Sequence, residues 1–300
     1  MIPVQQRELI ELIDNSINDF MSDIPDTQKK SFNKLLELIK ELDTENGSIL
    51  NNLKNIKILG NIRSEMDTIL LNKTYIKKVA NFTRAYDKVA QLNNEYYSAL
   101  NDKFSPMSVL KAIKKLNIDS TIEQLTENGI AAKYTDAIKE ILKTNITSGA
   151  SYSGMVDQLQ NAMLGKEDQP GLLERYASQI VTDSIHQYNR QYNKAITDDL
   201  EFEWFGYSGT IVKKSRPFCV HLHDRKFFHK SEVPDLLNGI IGDSVVDVSA
   251  WTGLPMGMIE GTNEETFFVN AGGYRCNHVI YGVSSVIVPA ALRKEVEAAN

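Results

Sequence analysis

Glycine is distributed unevenly along this chain of 300 residues, and that distribution constrains the fold more than any other sequence feature. Residues 1–150 contain four glycines, whereas residues 151–300 contain the other 13 of the 17. Few chain breakers, together with apolar residues that recur about every 3.6 positions, predict long helices in the first half. Frequent glycine and proline predict loops and short strands in the second half. We therefore predict an α+β protein with an elongated helical bundle or hairpin arm over residues 1–150 and a small mixed α/β domain over residues 151–300.

The second half contains one long helical pattern and several strand-like runs. Apolar residues at helical spacing extend from Gly171 to about Asp199. Residues 234–262 are rich in glycine, proline and serine, which predicts a long loop or insertion around Trp251. The tail from 290 to 300 is predicted to be a short charged helix or to be disordered. Strands are predicted at 201–207 with a continuation over 210–212, at 267–269 and at 279–283.

Composition indicates an ordinary soluble globular protein and excludes some classes of function. The net charge is −6 and 42% of the residues are hydrophobic. A negative net charge argues against a dedicated nucleic-acid binder, because phosphate affinity comes mainly from lysine and arginine. No apolar run reaches the roughly 18 residues of a membrane-spanning helix. Two cysteines do not form a disulfide framework, so a reducing, cytosolic folding environment is expected.

A local excess of positive charge interrupts this acidic background between residues 213 and 230. One interpretation is contact with a phosphate backbone or with an acidic partner. The alternative is a solvated strand edge that positive charge protects from unwanted pairing. The candidate contact residues are Lys213, Lys214, Arg216, Arg225 and Lys226.

Both cysteines and four of the five histidines lie between Arg216 and His278. If the stretch around Cys219 is extended, its side chain shares a face with His221 and His223. By the same geometry, Cys276 and His278 share a face. Two such pairs, brought together from distant parts of the chain, would form a Cys2His2 set, which is typical of a closed structural zinc site.

Other interpretations of these residues remain open at this point. The cysteines could be buried packing residues, or could form a disulfide once the protein leaves the cytosol. The histidines between 221 and 229 could lie on the surface of a basic strand. His186, on the long helix, is expected to be a surface residue or a packing histidine with its hydrogen bonds satisfied. No phosphate-binding loop, dinucleotide fingerprint or nucleophile with a positioned base is present, so the sequence contains no complete catalytic constellation.

Several short motifs follow one another along residues 150–288, and their order resembles a known family. They are Arg175-Tyr176-Ala177 with Ile180-Val181 and Asp183, then Trp204, then Arg216-x-x-Cys219-x-x-Leu222 with Phe227, and finally Gly272-Gly273-Tyr274-x-Cys276-x-His278. In this order they resemble the Mu F-like head morphogenesis proteins, which are minor head proteins of tailed bacteriophages. Many members of that family have a further cysteine where this chain has Arg216. The resemblance therefore implies that His223, or else His221, completes a metal set with Cys219, Cys276 and His278, and His223 is preferred because it adjoins Asp224, at the position of the family's turn glycine.

The resemblance also implies a function and a location. It implies a minor capsid protein of the virion, assembled in the host cytoplasm and located in the head interior or near the portal. Its partners would be the portal protein, the major capsid protein or both, with packaged DNA as a further candidate. It would act in head assembly, DNA packaging or DNA delivery by binding rather than by catalysis. The alternative hypotheses are a metal-dependent nuclease or injected effector enzyme, and a DNA-binding internal head protein that uses the basic residues at 213–226.

Overall fold

The computed structural model describes residues 2–299 and shows a mostly helical chain with small antiparallel sheets, which confirms the α+β class. Its α-helices are α1 (Val4–Met21), α2 (Ile24–Ile39), α3 (Leu53–Leu70), α4 (Lys73–Leu100), α5 (Ser108–Leu125), α6 (Ala132–Ser148), α7 (Tyr152–Leu164), α8 (Leu172–Asp199), α9 (Pro217–Arg225), α10 (Val233–Leu237), α11 (Phe267–Asn270) and α12 (Ala290–Ala299). Its strands are β1 (Thr44–Glu45), β2 (Ser48–Ile49), β3 (Gly165–Lys166), β4 (Gln169–Pro170), β5 (Trp204–Gly209), β6 (Phe227–His229), β7 (Ile240–Ile241), β8 (Ser244–Val245) and β9 (His278–Gly282). Among the described residues, no helix combines the length and the apolar character needed to cross a membrane.

The chain folds into two compact units, and neither is continuous in sequence. The helical unit comprises Ser16–Arg84 and Asp119–Val181. The strand unit comprises the chain up to Asn15, Ala85–Ile118, and the chain from Thr182 onward. The predicted boundary at residue 150 therefore does not coincide with a boundary between units. The physical reason is that α1, α4, α5 and α8 are long, and each contributes residues to both units.

The helical unit is built around the packing of α2, α3, α6 and α7. Each of these helices buries an apolar stripe, as the 3.6-residue periodicity predicts. Aromatic side chains from other segments add to this interior: Phe20 packs edge-on against Tyr75 and Phe82, with ring centroids 5.9 and 5.6 Å apart. The Tyr75 hydroxyl, which is buried, donates a hydrogen bond to the Leu125 carbonyl at 2.9 Å. Burial without that partner would be costly, so the bond fixes the ring in place.

The strand unit is organised by a three-stranded antiparallel sheet in the order β6-β5-β9. The central strand β5 pairs Phe205 with Phe228 of β6 and Tyr207 with Ile280 of β9. Its residues from Trp204 to Ser208 are buried, and apolar side chains of this sheet pack against α9, α10 and α11 in one core. The strands predicted at 201–207 and 279–283 are confirmed within a few residues of their ends.

Three local predictions in this unit are wrong. Residues 210–212 do not continue β5, since a turn closes there with the Ser215 N–H donating to the Val212 carbonyl at 2.8 Å. Residues 267–269 belong to the short helix α11 rather than to a strand, because a short apolar run has no periodicity to separate the two. The stretch around Cys219 is helical because Pro217 occupies the first turn of α9, where its ring and missing N–H are tolerated.

A buried amide and hydroxyl network holds α8, α4 and β9 together inside the strand unit. Asn93 donates to the Asn189 side-chain carbonyl at 2.8 Å, and the Tyr97 hydroxyl donates to that of Asn193 at 2.7 Å. The same Tyr97 oxygen accepts the N–H of Gly282 in β9 at 3.0 Å. These bonds fix the position of β9 relative to α8, although Nδ2 of Asn189 is buried without a hydrogen-bond partner.

Candidate metal centre

Three buried side chains meet where β5 ends and β9 begins. Cys219 comes from the first turns of α9, Cys276 from the loop that precedes β9, and His278 from the first position of β9. Each of the three is at most 4% exposed. Their potential ligand atoms all lie within 4.8 Å of one another, and this is the one such group of histidine, cysteine and acidic residues among the described residues. We call Cys219, Cys276 and His278 the three-ligand group.

Two of the three distances between ligand atoms in the three-ligand group match those around a tetrahedral metal ion, and the third is below 4.8 Å. The two sulfur atoms are 3.8 Å apart, and the Cys276 sulfur is 3.5 Å from Nδ1 of His278. Zinc bonds of about 2.3 Å to sulfur and about 2.0 Å to nitrogen give tetrahedral S···S and S···N edges of roughly 3.8 and 3.5 Å. A disulfide requires sulfur atoms about 2.0 Å apart, and both cysteines are free. The donor set therefore fits a thiophilic divalent ion such as zinc better than it fits a cystine.

The surroundings orient His278 and leave one of its nitrogen atoms unpartnered. The Tyr207 ring stacks on the imidazole with centroids 4.9 Å apart and an interplanar angle of 13°. The Tyr207 hydroxyl lies 3.6 Å from the Cys276 sulfur. Nε2 of His278 is buried and has no hydrogen-bond partner. The stacking therefore holds the ring with Nδ1, rather than Nε2, beside the Cys276 sulfur.

Electrostatics favour a thiolate at Cys276, which is the protonation state that binds metals. The hydrogen bond from Cys219 lowers the pKa of Cys276, and the Arg190 guanidinium and His278 lower it further. The same hydrogen bond, with burial second, raises the pKa of Cys219. The coupling between the two sulfur atoms therefore lowers the pKa of Cys276 relative to that of Cys219.

Arg190 holds the segment that contains two of the ligands. Its buried guanidinium donates to the carbonyls of Cys276 and His278 at 3.1 and 2.9 Å, and to the Val269 carbonyl at 3.2 Å. Sequence reasoning did not single out this residue. The sequence does contain a pattern that indicates its burial, because polar residues recur on α8 at helical spacing. The buried polar residues are Thr182, His186, Asn189, Arg190, Asn193 and Thr197.

Gly272 provides the space that the sulfur atoms occupy. Its φ is +78°, a conformation that favours glycine, and a Cβ added there would lie 2.3 Å from the Cys276 sulfur. The same Cβ would lie 3.1 Å from the Cys219 sulfur. The backbone at Gly272 therefore approaches the three-ligand group more closely than any residue with a side chain could.

We expect Gly272→Ala to disrupt the three-ligand group. Gly261→Ala is the matched control, because Gly261 has a φ of +79° but nothing within 4 Å of its added Cβ. Both variants introduce the same left-handed strain of roughly 1–2 kcal/mol, so the difference between them isolates the clash with the sulfur atoms. Zinc titration with a chromophoric chelator should show weakened binding for Gly272→Ala alone. Equal affinity in the two variants would contradict this geometry.

His223, the predicted fourth ligand, lies next to the three-ligand group without being part of it. It follows Cys219 by one turn of α9, which places both on the same helix face. Its ring centroid is 5.9 Å from that of His278. Its buried Nδ1 forms no hydrogen bond, but lies 3.6 Å from Oδ1 of Asp224. His221, in contrast, is exposed on the helical α9, so it does not share the face it would share in a strand. The fourth ligand remains a prediction.

His186 does not match the expectation of a surface or satisfied histidine. It is 3% exposed, and neither ring nitrogen has a hydrogen-bond partner. Burial, aided by the charge of Arg190, lowers its pKa to about 3. The imidazole is therefore neutral in the folded protein at neutral pH.

Below neutral pH, His186 is expected to destabilise the fold. A pKa depressed from 6.5 to about 3 means that, as pH falls through 6.5, the unfolded chain gains a proton that the folded chain does not. At a pH of about 5 this costs about 2 kcal/mol relative to neutral pH. Urea unfolding of chelator-treated protein should show that His186→Leu loses this part of the pH dependence. His221→Leu, at an exposed position, should retain it, and identical pH profiles for His186→Leu and wild type would refute the assignment.

Of the basic residues predicted to contact phosphate or a partner, the two arginines are bonded within the fold and the three lysines are exposed. Arg216 donates to the carbonyls of Gly272 and Tyr274, the second at 2.7 Å, and Arg225 pairs with Glu232 and with Glu295. These two arginines therefore stabilise the fold. Lys213, Lys214 and Lys226 are exposed. A cleft of about 220 Å³ reaches the three-ligand group and includes Lys214, Arg216 and Arg275 in its wall.

Comparison with known proteins identifies no relative. No protein-family model, curated protein or solved structure matches the chain.

Proposed function

We propose that this chain is a minor structural protein of a tailed-phage head, and that it acts by binding other head components rather than by catalysis. The proposal starts from the Mu F-like order of motifs between residues 175 and 278. One structural observation supports it: residues of separate motifs contact one another at the three-ligand group.

The contacts between motif residues are specific. The Asp183 carboxylate accepts the Arg275 N–H at 2.5 Å. Arg216 binds the carbonyls of Gly272 and Tyr274, and Cys219 meets Cys276. Hydrogen bonds and the contact between the two cysteines therefore connect α8, the Arg216-to-Cys219 motif and the glycine-rich motif.

A structural metal ion would complete this arrangement. Cys219, Cys276 and His278 would hold it, and His223 is the candidate for a fourth ligand that the sequence resemblance supplies. Bound there, zinc would cross-link α9 to the start of β9 across the 56 residues that separate Cys219 from Cys276 in the sequence. The unit would then be rigid enough to present the rest of the chain to partners, for which the portal protein and the major capsid protein are the candidates.

The proposal is tested by the composition of purified particles. Heads of the phage that encodes this chain are purified through a density gradient and digested for quantitative mass spectrometry. Peptides of the chain should be present at a copy number well below that of the major capsid protein, and should remain with the head after free proteins are removed. If the chain is found in the lysate but not in heads, the structural role is wrong.

A metal-dependent nuclease is the second candidate function. It is favoured by the fact that three ligands, rather than four, are in place and border a cleft with cationic walls. Catalytic zinc sites commonly keep three protein ligands and one open position. Plasmid DNA incubated with the protein and zinc, manganese or magnesium should then be cleaved, and His278→Ala, but not His221→Ala, should abolish cleavage. No cleavage with any of these ions would exclude this function.

A further inference from the structure

One acidic segment of the strand unit contains several exposed apolar side chains. Between residues 231 and 274 the chain contains seven acidic residues and neither lysine nor arginine. Trp251 is 87% exposed and Met256 is 62% exposed. Val245 and Val248 are exposed as well. Single exposed apolar residues need no explanation, but an exposed tryptophan with other exposed apolar residues close to it in the sequence is a candidate anchor for a partner.

Trp251 is held on a fixed turn rather than on a loose loop. Ser249 donates its N–H to the Leu254 carbonyl at 2.8 Å and accepts the Gly253 N–H at 2.8 Å. The Ser249 hydroxyl oxygen also accepts the Trp251 N–H at 3.3 Å. On either side of the turn, Val246 and Met258 are buried in the core of the strand unit. A pre-positioned aromatic side chain loses little freedom on binding, which favours association.

The acidic side chains near this turn are exposed. They include Asp243 and Asp247 before Trp251, and Glu260 after it. A surface that combines an aromatic anchor with negative charge fits an apolar surface that has positive charge at its rim. We call the exposed residues Asp243, Val245, Asp247, Val248, Trp251 and Met256 the acidic patch.

The same unit presents a surface with the complementary properties. After β5, Ile211 and Val212 are 39% and 49% exposed, and Lys213 and Lys214 follow them in the chain. This turn is fixed by the Ser215 hydroxyl, which accepts the Val212 N–H at 2.9 Å. Neither lysine forms an ion pair within the part of the chain that the structure describes. We call residues 211–214 the basic patch.

We propose that the acidic patch of one copy of this chain docks on the basic patch of a second copy, with Trp251 as the anchor. We choose a second copy as the partner because one chain contains both surfaces. Each surface has exposed apolar residues, and the two have opposite charges. The interface is heterologous, so repeated docking gives a ring or an open series of copies. This inference does not depend on the proposed phage function, since it rests on exposure and charge alone.

Sedimentation velocity on the full chain tests the proposal over a concentration range that reaches about 100 µM, an affinity range accessible to modest interfaces. The wild-type protein should associate as its concentration rises, and association should weaken between about 0.05 and 0.5 M salt because exposed charges are screened. Trp251→Ala should weaken association by at least about 30-fold, as loss of a central anchor does. Val286→Ala is the control, because Val286 is 82% exposed outside both patches.

Charge reversal identifies the partner surface. Asp243→Lys with Asp247→Lys in one protein, and Lys213→Glu with Lys214→Glu in another, should each abolish self-association. Mixed together, the two proteins should associate, because the reversed charges are again complementary. Circular dichroism verifies that each variant is folded. The proposal is overturned by a wild-type protein that stays monomeric, including one that binds DNA or another protein instead, or by charge-reversed variants that fail to associate when mixed.

Discussion

Cys276→Ser is expected to abolish tight zinc binding and to lower the thermal unfolding midpoint of the zinc-loaded protein by roughly 10 °C. The reason is that Cys276 is in contact with both other members of the three-ligand group, at 3.8 Å from the Cys219 sulfur and 3.5 Å from Nδ1 of His278. It is also the sulfur that Arg190 and His278 favour as a thiolate. A ligand present at about 1,000 times its Kd contributes about 4 kcal/mol of stability, and this contribution is lost with the thiolate. Differential scanning calorimetry with and without zinc measures the loss.

Three histidine variants provide the controls for this prediction. His278→Ala should reproduce the effect of Cys276→Ser, whereas His221→Ala, on the exposed face of α9, should bind zinc like the wild type. His223→Ala tests the fourth position, and an intermediate affinity would identify His223 as a ligand. Cobalt substitution provides a second readout, because two thiolate ligands give intense charge-transfer bands that the serine variant should lose. If a chelator leaves the wild-type unfolding midpoint unchanged, the group does not hold a stabilising metal.

Arg190→Met is expected to destabilise the fold by about 3 kcal/mol or more, even without metal. Arg190 is 3% exposed, and its guanidinium satisfies three carbonyls, of Val269, Cys276 and His278. Methionine fills a similar volume but donates no hydrogen bond, so those buried carbonyls lose their partner. Urea unfolding measures the change in free energy.

Lys194→Ala is the matched control for Arg190→Met. Lys194 lies one turn further along α8 and pairs with Asp198 at the surface, where such a pair contributes at most about 1 kcal/mol. Arg190→Lys separates charge from geometry, since lysine retains the charge but cannot reach three acceptors in a plane. It should recover only part of the stability. A change below about 1 kcal/mol for Arg190→Met would show that water replaces the guanidinium at these carbonyls.

The parts of the fold that could be predicted are those with a strong local signal. The long periodic stripe of α8 and the β-rich run of β9 appear at the predicted places, because periodicity and residue type determine them locally. Cys219 shows the limit of such reasoning. Alternation placed it on a strand, but Pro217 starts a helix there, so Cys219 and His223 share a face through helical spacing instead.

The features of the candidate site that could not be predicted depend on contacts between residues far apart in the sequence. Cys219 and Cys276 could be suspected as partners, because few soft ligands exist in the chain. The roles of Arg190 and Gly272 could not, because they act through backbone carbonyls and through a close approach to sulfur that arise only in the folded unit. His186 was misjudged for the same reason, since a histidine beside an apolar stripe gives no indication of how deeply it is buried.

The interrupted order of the two units has a consequence for how the protein is made on the ribosome. The strand unit takes residues from the start, the middle and the end of the chain, and β9 ends only at Gly282. Its opening segment is therefore synthesised long before the partners against which it packs. Cotranslational folding of this unit cannot finish until Gly282 has left the ribosome, and a protein truncated near residue 150 would lack parts of both units.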